Sequence, residues 1–239
     1  MFILELKNVR KNFGALTVAD DISFAVPQGA ALGIIGPNGA GKSTLFNLIT
    51  GNIMPSSGAV LFKSKDISKT PARQRCHSGI GRSFQIPQPF GKLTDFENVL
   101  VAAAFGQNRT EHDVQKECTV ILERTGLIAR ANTIADSLPL LQRKRLELAR
   151  ALATAPDLLL LDEIAGGLTE AECHELVETI RSIHEGGTTI IWIEHVLHAL
   201  TSVVDSLLVL NFGKVIGIGE PTAIMNSREV QEIYLGIEV

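Results

Sequence analysis

A chain of 239 residues, 45% hydrophobic and 20% charged, has the apolar material for one large core, because chains divide into separate cores only near ~250 residues. A formal net charge of -4 and a pI near 5.9 show no excess of basic charge for DNA or RNA, which disfavours nucleic acid as a partner, and none is expected. Cys76, Cys118 and Cys173, odd in number and far apart, suggest neither a disulfide framework nor a zinc site, and the longest apolar runs, such as Val99 to Phe105, fall far short of the ~20 residues of a membrane span.

The N-terminal "MFILELKNVRKNF" lacks the long apolar core of a signal peptide, and a reducing cytosol is the expected compartment. From residue 1 to about 36 the pattern predicts short strands at "ILELKNV", "DISFAV" and "AALGIIG", with Pro27-Gln28-Gly29 as the turn between the last two. The third is apolar throughout, as a buried parallel strand is. A helix over "LFNLIT" stops at Gly51, and the turn "MPSSG" leads to the strand "AVLF". Residues 66 to about 135 differ in character, with more helix signals and loop punctuation such as "QIPQPFGKLT". They are expected to contribute to a helical subdomain, approximately 86–155, inserted into a single domain spanning 1–239.

The α/β core resumes with "DLLLLDE", a helix from Glu170 to Glu185, and the apolar strand "TTIIWIEH". Ser206 to Pro221 reads as a strand, a turn at Asn211-Phe212-Gly213 and a second strand, with a last helix after it. Strands alternating with helices argue for a parallel sheet, whose ligand sits at the carboxyl ends of the strands. Three strands here end in polar or glycine-rich segments, which places the site.

"GPNGAGKS", Gly36 to Ser43, fits G-x-x-x-x-G-K-[ST] between an apolar strand and a helix, the context the motif requires. Its glycines let backbone N–H groups fold around an anion, the helix adds its positive end, Lys42 reaches the β- and γ-phosphates, and Ser43 offers a hydroxyl to Mg²⁺. At the end of "LLLLDE", Asp162 is placed to hold Mg²⁺ through water, and Glu163 to orient or deprotonate the attacking water.

The phosphate loop, Gln85 in "RSFQ", the "LxxxQ" segment opening the "RLELARAL" helix, "LLLLDE" and His195 in "IEH", in that order and spacing, resemble an ATP-binding cassette ATPase over essentially the whole chain. More closely, "FGALTVADDISFAVPQGAALGIIGPNGAGKSTLFNLITG", "FGKLTDFENVLVA", "AGGLTEAE" and "EIYLG" are similar to the ATPase subunits of branched-chain amino acid importers, a group that includes urea and amide importers. The resemblance implies a P-loop NTPase core with a mostly parallel sheet, N-terminal antiparallel strands and an inserted α-helical subdomain. It further implies ATP and Mg²⁺ as cofactors, two transmembrane permease subunits and a second ATPase chain as partners, an extracytoplasmic solute-binding protein as an indirect one, and a peripheral place on the cytoplasmic face of the inner membrane.

By the same resemblance ATP is held by Phe13, Gly36, Asn38, Gly39, Ala40, Gly41, Lys42, Ser43 and Thr44, with Phe13 stacked on adenine; read on its own, Phe13 fits a core residue at a strand end as well. Ser43, Gln85 and Asp162 are the implied Mg²⁺ residues, and Glu163, His195 and Gln85 the catalytic ones, His195 meeting the γ-phosphate. Residues about 85 to 105 would meet the membrane subunits.

The family's signature segment, usually "LSGGQ", faces the nucleotide of a partner chain and maps onto Leu138, Pro139, Leu140, Leu141 and Gln142, where three of five positions differ. Pro139 has neither hydroxyl nor N–H, and the two leucines put side chains where the family has none. Losing one preorganised donor costs ~10²–10³ in rate, so this signature is expected to be weak and a different ATPase chain is the favoured partner. Ile164, where the family usually has proline, and Gly167 are smaller departures, expected to affect coupling between sites. Arg143-Lys144-Arg145 reads as a solvated face. Alternative readings are a cassette protein of DNA repair or translation, a regulatory ATP-binding subunit with weak turnover, and the ATPase of a lipid or lipopolysaccharide exporter.

Overall fold

The computed structural model describes residues 1–235; Gly236 of "EIYLG" lies outside them. β1 (Phe2–Phe13) and β2 (Leu16–Pro27) form one antiparallel hairpin in which Leu4, Leu6 and Val9 oppose Val26, Phe24 and Ile22 on the buried face. Both run longer than the patterned cores "ILELKNV" and "DISFAV", because strand pairing carries the polar ends along. β3 (Ala31–Ile35) is wholly buried, and α1 (Lys42–Thr50) ends at Gly51, whose φ of 78° is the left-handed closure that glycine permits. β4 (Ser57–Phe62) and β5 (Lys65–Asp66) extend the hairpin into a four-stranded sheet, β2-β1-β4-β5.

α2 (Ala72–His77) leads into β6 (Ile80–Arg82), and α3 (Asp95–Gln107), α4 (Glu111–Arg124) and α5 (Leu140–Ala153) follow. Then come β7 (Leu158–Asp162), α6 (Glu170–Glu185), β8 (Thr189–Ile193), α7 (Leu197–Thr201), β9 (Ser206–Asn211), β10 (Lys214–Gly219), α8 (Pro221–Met225) and α9 (Arg228–Leu235). The second sheet has the order β10-β9-β3-β8-β7-β6, parallel except for the β9–β10 hairpin.

Alternate residues of its strands feed two cores. Ile34, Leu160, Ile191 and Leu208 pack with α1 and the antiparallel sheet. Ile35, Leu161, Trp192 and Val209 pack with α5, α6 and α7. Burial on both faces is why these strands read as unbroken apolar runs. A third core, with Val99, Val114, Leu122, Leu138 and Leu146, joins α3, α4 and α5.

β6 corrects the sequence reading, which placed residues 80–82 outside the core sheet. Three residues with a central glycine carry no periodic signal, and the segment is a strand only because β7 offers it a parallel edge, Ile80 opposite Leu158 and Arg82 opposite Leu160. No described helix is long and apolar enough to cross a membrane.

Candidate nucleotide and catalytic site

The phosphate loop joins β3 to α1 at the carboxyl end of the core sheet. Gly41, the residue before α1, has φ 103°, and a Cβ there would lie 2.9 Å from the Val18 carbonyl oxygen. A Cβ on Gly36 would come within 2.1 Å of the Leu210 carbonyl oxygen, so only glycine lets the loop lie against β9. The turn after β9 is tied to the loop, the Gly213 N–H donating to the Ala40 carbonyl at 2.9 Å. Ser43 and Thr44 follow Lys42 in the first turn of α1, and Asn38 and Gly39 form the loop's outer bend.

Lys42 is buried, its Nζ donating to the carbonyls of Gly36 at 2.7 Å and Pro37 at 3.1 Å. An ammonium has three donors, so one remains for an anion in the loop. Burial lowers the Lys42 pKa, while Glu163 and Asp162, facing it, oppose that fall.

β7, β8 and β6 bring the acids, the histidine and the glutamine to the same end of the sheet. Glu163 sits one residue beyond β7 at φ 45°, a left-handed conformation that a non-glycine residue adopts rarely and at a cost of order 1–3 kcal/mol. That backbone aims its carboxylate at two partners: His195 Nε2 lies 2.8 Å from Oε1, and Gln85 Nε2 donates to Oε2. The three residues implied as catalytic thus share one carboxylate. With its amide NH₂ turned to Glu163, Gln85 keeps its carbonyl oxygen for a cation or a water.

Asp162 is buried, and its Oδ2 accepts from Arg82 Nη2 at 2.7 Å, which leaves Oδ1 to serve a metal-bound water. Arg82 Nη1 also donates to Asn47 Oδ1 on α1 at 2.7 Å, and the guanidinium lies 5.5 Å and 5.0 Å from the ring centres of Phe46 and Phe84. A hydroxyl, a carboxylate and an amide carbonyl, from Ser43, Asp162 and Gln85, are the hard oxygen donors that suit Mg²⁺.

Phe13 closes the β1–β2 hairpin with 51% of its surface exposed and Lys11 Nζ 5.0 Å from its ring centre, which rules out the core reading and leaves a π-face open. The signature segment divides. Leu138 is buried in the core of α3, α4 and α5, Leu141 is buried against the parallel sheet, and only Leu140, 43% exposed, faces outward. Two of the three leucines at this helix end therefore have a packing reason. Pro139 caps α5 without a side-chain hydrogen bond, so the first N–H groups of the helix have no cap, and Gln142 lies half-buried one turn on.

Three residues of the site carried no role in the sequence reading. Arg82 lay on the unrecognised strand. Glu194, buried next to His195, accepts from the N–H groups of Ala165 at 3.0 Å and His195 at 2.9 Å and so holds the loops after β7 and β8 together. Its signal was an acid directly after an apolar strand. Lys144 overturns the solvated-face reading of Arg143-Lys144-Arg145: it is 3% exposed, and its Nζ donates to the carbonyls of Gln85 at 3.0 Å and Glu163 at 3.3 Å. Its neighbours are engaged as well, Arg143 with the Leu138 carbonyl at 2.8 Å and Arg145 with Glu175 at 2.9 Å.

Residues 19–166 match the family model described as ABC transporter. The chain belongs to the ATP-binding cassette transporter family. Among relatives of this cassette, the high-affinity branched-chain amino acid transport ATP-binding protein LivG of Salmonella typhimurium is 33% identical over 98% of both chains. The lipopolysaccharide export system ATP-binding protein LptB of Haemophilus influenzae is 28% identical over 99% of this chain and 98% of its own. A crystal structure of the ADP conformation of an ATP-binding cassette of an ABC transporter superposes with a TM-score of 0.90 at 32% identity, covering 99% of this chain and all of that one. The chain is thus an ATP-binding, ATP-hydrolysing cassette with the α/β architecture expected of it.

Proposed function

We propose that this cassette is the ATPase subunit of an importer for branched-chain amino acids or related small polar solutes such as urea and amides, bound peripherally at the cytoplasmic face of the inner membrane. The observation that carries the catalytic part is the convergence of Gln85 and His195 on the Glu163 carboxylate, beside the phosphate loop. The cargo class rests on the likeness to LivG, at higher identity than to LptB.

Phe13 stacks on adenine, residues 36–44 wrap the phosphates, and Lys42 turns its free proton to the β- and γ-phosphates. Ser43, Gln85 and, through water, Asp162 would hold Mg²⁺, which would supply positive charge against that developing on the phosphates. Glu163 takes a proton from the attacking water, which the Gln85 carbonyl orients. The His195 imidazole turns to the γ-phosphate while its link to Glu163 keeps the base in place.

Residues 86–155 act as a helical subdomain, and residues about 85 to 105 make the contact with the permease subunits. A groove of about 1160 Å³ lined by Phe90, Val101, Phe105, Arg109 and Arg150 supports this, with Phe105 75% exposed. The uncapped, proline-led start of α5 supports pairing with a second, different ATPase chain whose own signature completes this chain's site. A solute-binding protein outside the cell would deliver cargo to the permeases.

The test is ATP turnover across protein concentration beside ATP affinity. Tight binding with negligible turnover at every concentration is expected of the chain alone. Turnover per chain that climbs with concentration would show that homodimers suffice and would end the heterodimer proposal.

A further inference from the structure

On α5, Lys144, Glu147 and Arg150 recur every three residues and so share one face of the helix. Lys144 and Glu147 are buried there, and Arg150 stands at the edge of the groove. Lys144 reaches the carbonyls of Gln85 and Glu163. The buried Glu147 carboxylate faces the backbone N–H groups of Gln88 and Phe84, which together with Arg150 oppose the rise that burial imposes on its pKa. Arg150 Nη1 donates to the Gln88 carbonyl at 2.7 Å and to Glu147 Oε2 at 3.0 Å, with the Phe90 ring centre 5.2 Å from its guanidinium carbon. Every polar contact of this stripe on residues 84–90, the ring of Phe90 apart, is to backbone, so it fixes where that segment runs and not what it contains.

Resting on the ATPase reading above, we propose that Lys144, Glu147 and Arg150 form a strap by which the signature helix positions the catalytic pair. Lys144, as its keystone, holds the Gln85 and Glu163 carbonyls on one ammonium. The physical case is one of stakes. A buried ammonium is tolerated only when hydrogen-bonded, and its two recorded acceptors belong to the two residues whose side chains also bond each other. Helix α5 begins at the segment expected to face the partner's nucleotide, so a displacement of that end is carried rigidly by Lys144 to the base and to the glutamine that orients the water. Lys144 itself touches no reacting atom, which makes it a positioning residue.

The experiment uses the full-length chain, alone for ATP affinity and for backbone amide exchange over residues 84–90, and assembled with its permeases and second ATPase chain for turnover with kcat and KM separated. Lys144→Met should leave ATP affinity within about twofold, lower kcat about 10–10²-fold with KM little changed, and speed exchange over 84–90 at least about tenfold, since a misplaced reacting group costs rates of that order. Lys144→Arg, which still reaches carbonyls, should restore most of both effects. Arg150→Met should loosen 88–90 in the same way, which keeps the test decisive if Lys144→Met does not fold. Unchanged exchange over 84–90, or a general loss of protection along α5 that Lys144→Arg does not repair, would overturn the strap. A wild-type chain that binds no ATP would instead refute the ATPase reading, while the exchange result would still decide the strap.

Discussion

Replacing Pro139 with serine and Leu140 with glycine should raise ATP turnover by homodimers of the chain about 10–10²-fold, because a hydroxyl donor and close backbone approach return to the start of α5. The choice of two substitutions and not three comes from the structure. Leu141 is 4% exposed against the parallel sheet, and its conversion to glycine would cost about 3–5 kcal/mol in lost packing and about 1 kcal/mol more in helix propensity, enough to threaten the fold. Pro139 makes no capping bond, so serine should stabilise α5 by about 1 kcal/mol. Leu140 is half out of the core, and its loss costs about 1–2 kcal/mol in burial and propensity together. The net change in stability is thus about 1 kcal/mol or less, a few degrees in melting temperature, and cannot mask a rate gain. The assay is phosphate release against protein concentration, with ATP affinity measured in parallel. Intact ATP binding with turnover no higher than wild type would refute the argument that the signature is what limits this chain.

Glu163→Gln should lower turnover by about 10²–10⁴-fold in the chain assembled with its second ATPase subunit and permeases, with ATP affinity unchanged, as measured by phosphate release and equilibrium binding, since it removes the base and keeps the shape. Phe13→Ala should weaken ATP binding by about 1–3 kcal/mol and leave inorganic triphosphate binding as it was; equal losses for both ligands would rule out base stacking. Asp95, buried at the start of α3 with both carboxylate oxygens lacking a hydrogen-bond partner, is pushed up to about 6 by burial, with Arg130 opposing. The folded value lies above the ordinary 3.8 of an aspartate, so the folded state holds this proton more tightly and stability falls as pH rises from about 4 to 6, by roughly 2–3 kcal/mol. Asp95→Asn should flatten that part of a melting-temperature profile, and a slope equal to wild type would sink the assignment.

The sequence exposed what is local. The phosphate loop carries its own backbone demands, the helix Glu170–Glu185 is announced by the Thr169–Glu172 capping box, and β7 and β8 are apolar because both faces are covered. What stayed hidden is made by pairing at a distance. β6 exists through β7, Lys144 is buried because two carbonyls from other segments meet it, and Arg82 matters because Asp162 and Asn47 arrive from 80 and 35 residues away. The leucines at the start of α5 invited a single functional explanation, and the fold shows two of them serving packing in two different cores.

The strand order of the core sheet also bears on synthesis. β3, which carries the phosphate loop, lies between β8 and β9, and contacts beside it span 160 residues, from Gly29 to Thr189, and 174 residues, from Ala31 to Asp205. The loop therefore leaves the ribosome early, yet the strands on either side of it are translated near the end, and contacts of such separation form slowly. A nascent or truncated chain that stops before β9 has the whole phosphate-binding motif and β8 beside β3, but lacks the strand on which Gly36 lies and the Gly213 N–H that ties down Ala40. Nucleotide capture is thus expected to strengthen once translation has passed β9, and a chain broken off earlier to gain less stability from the ligand.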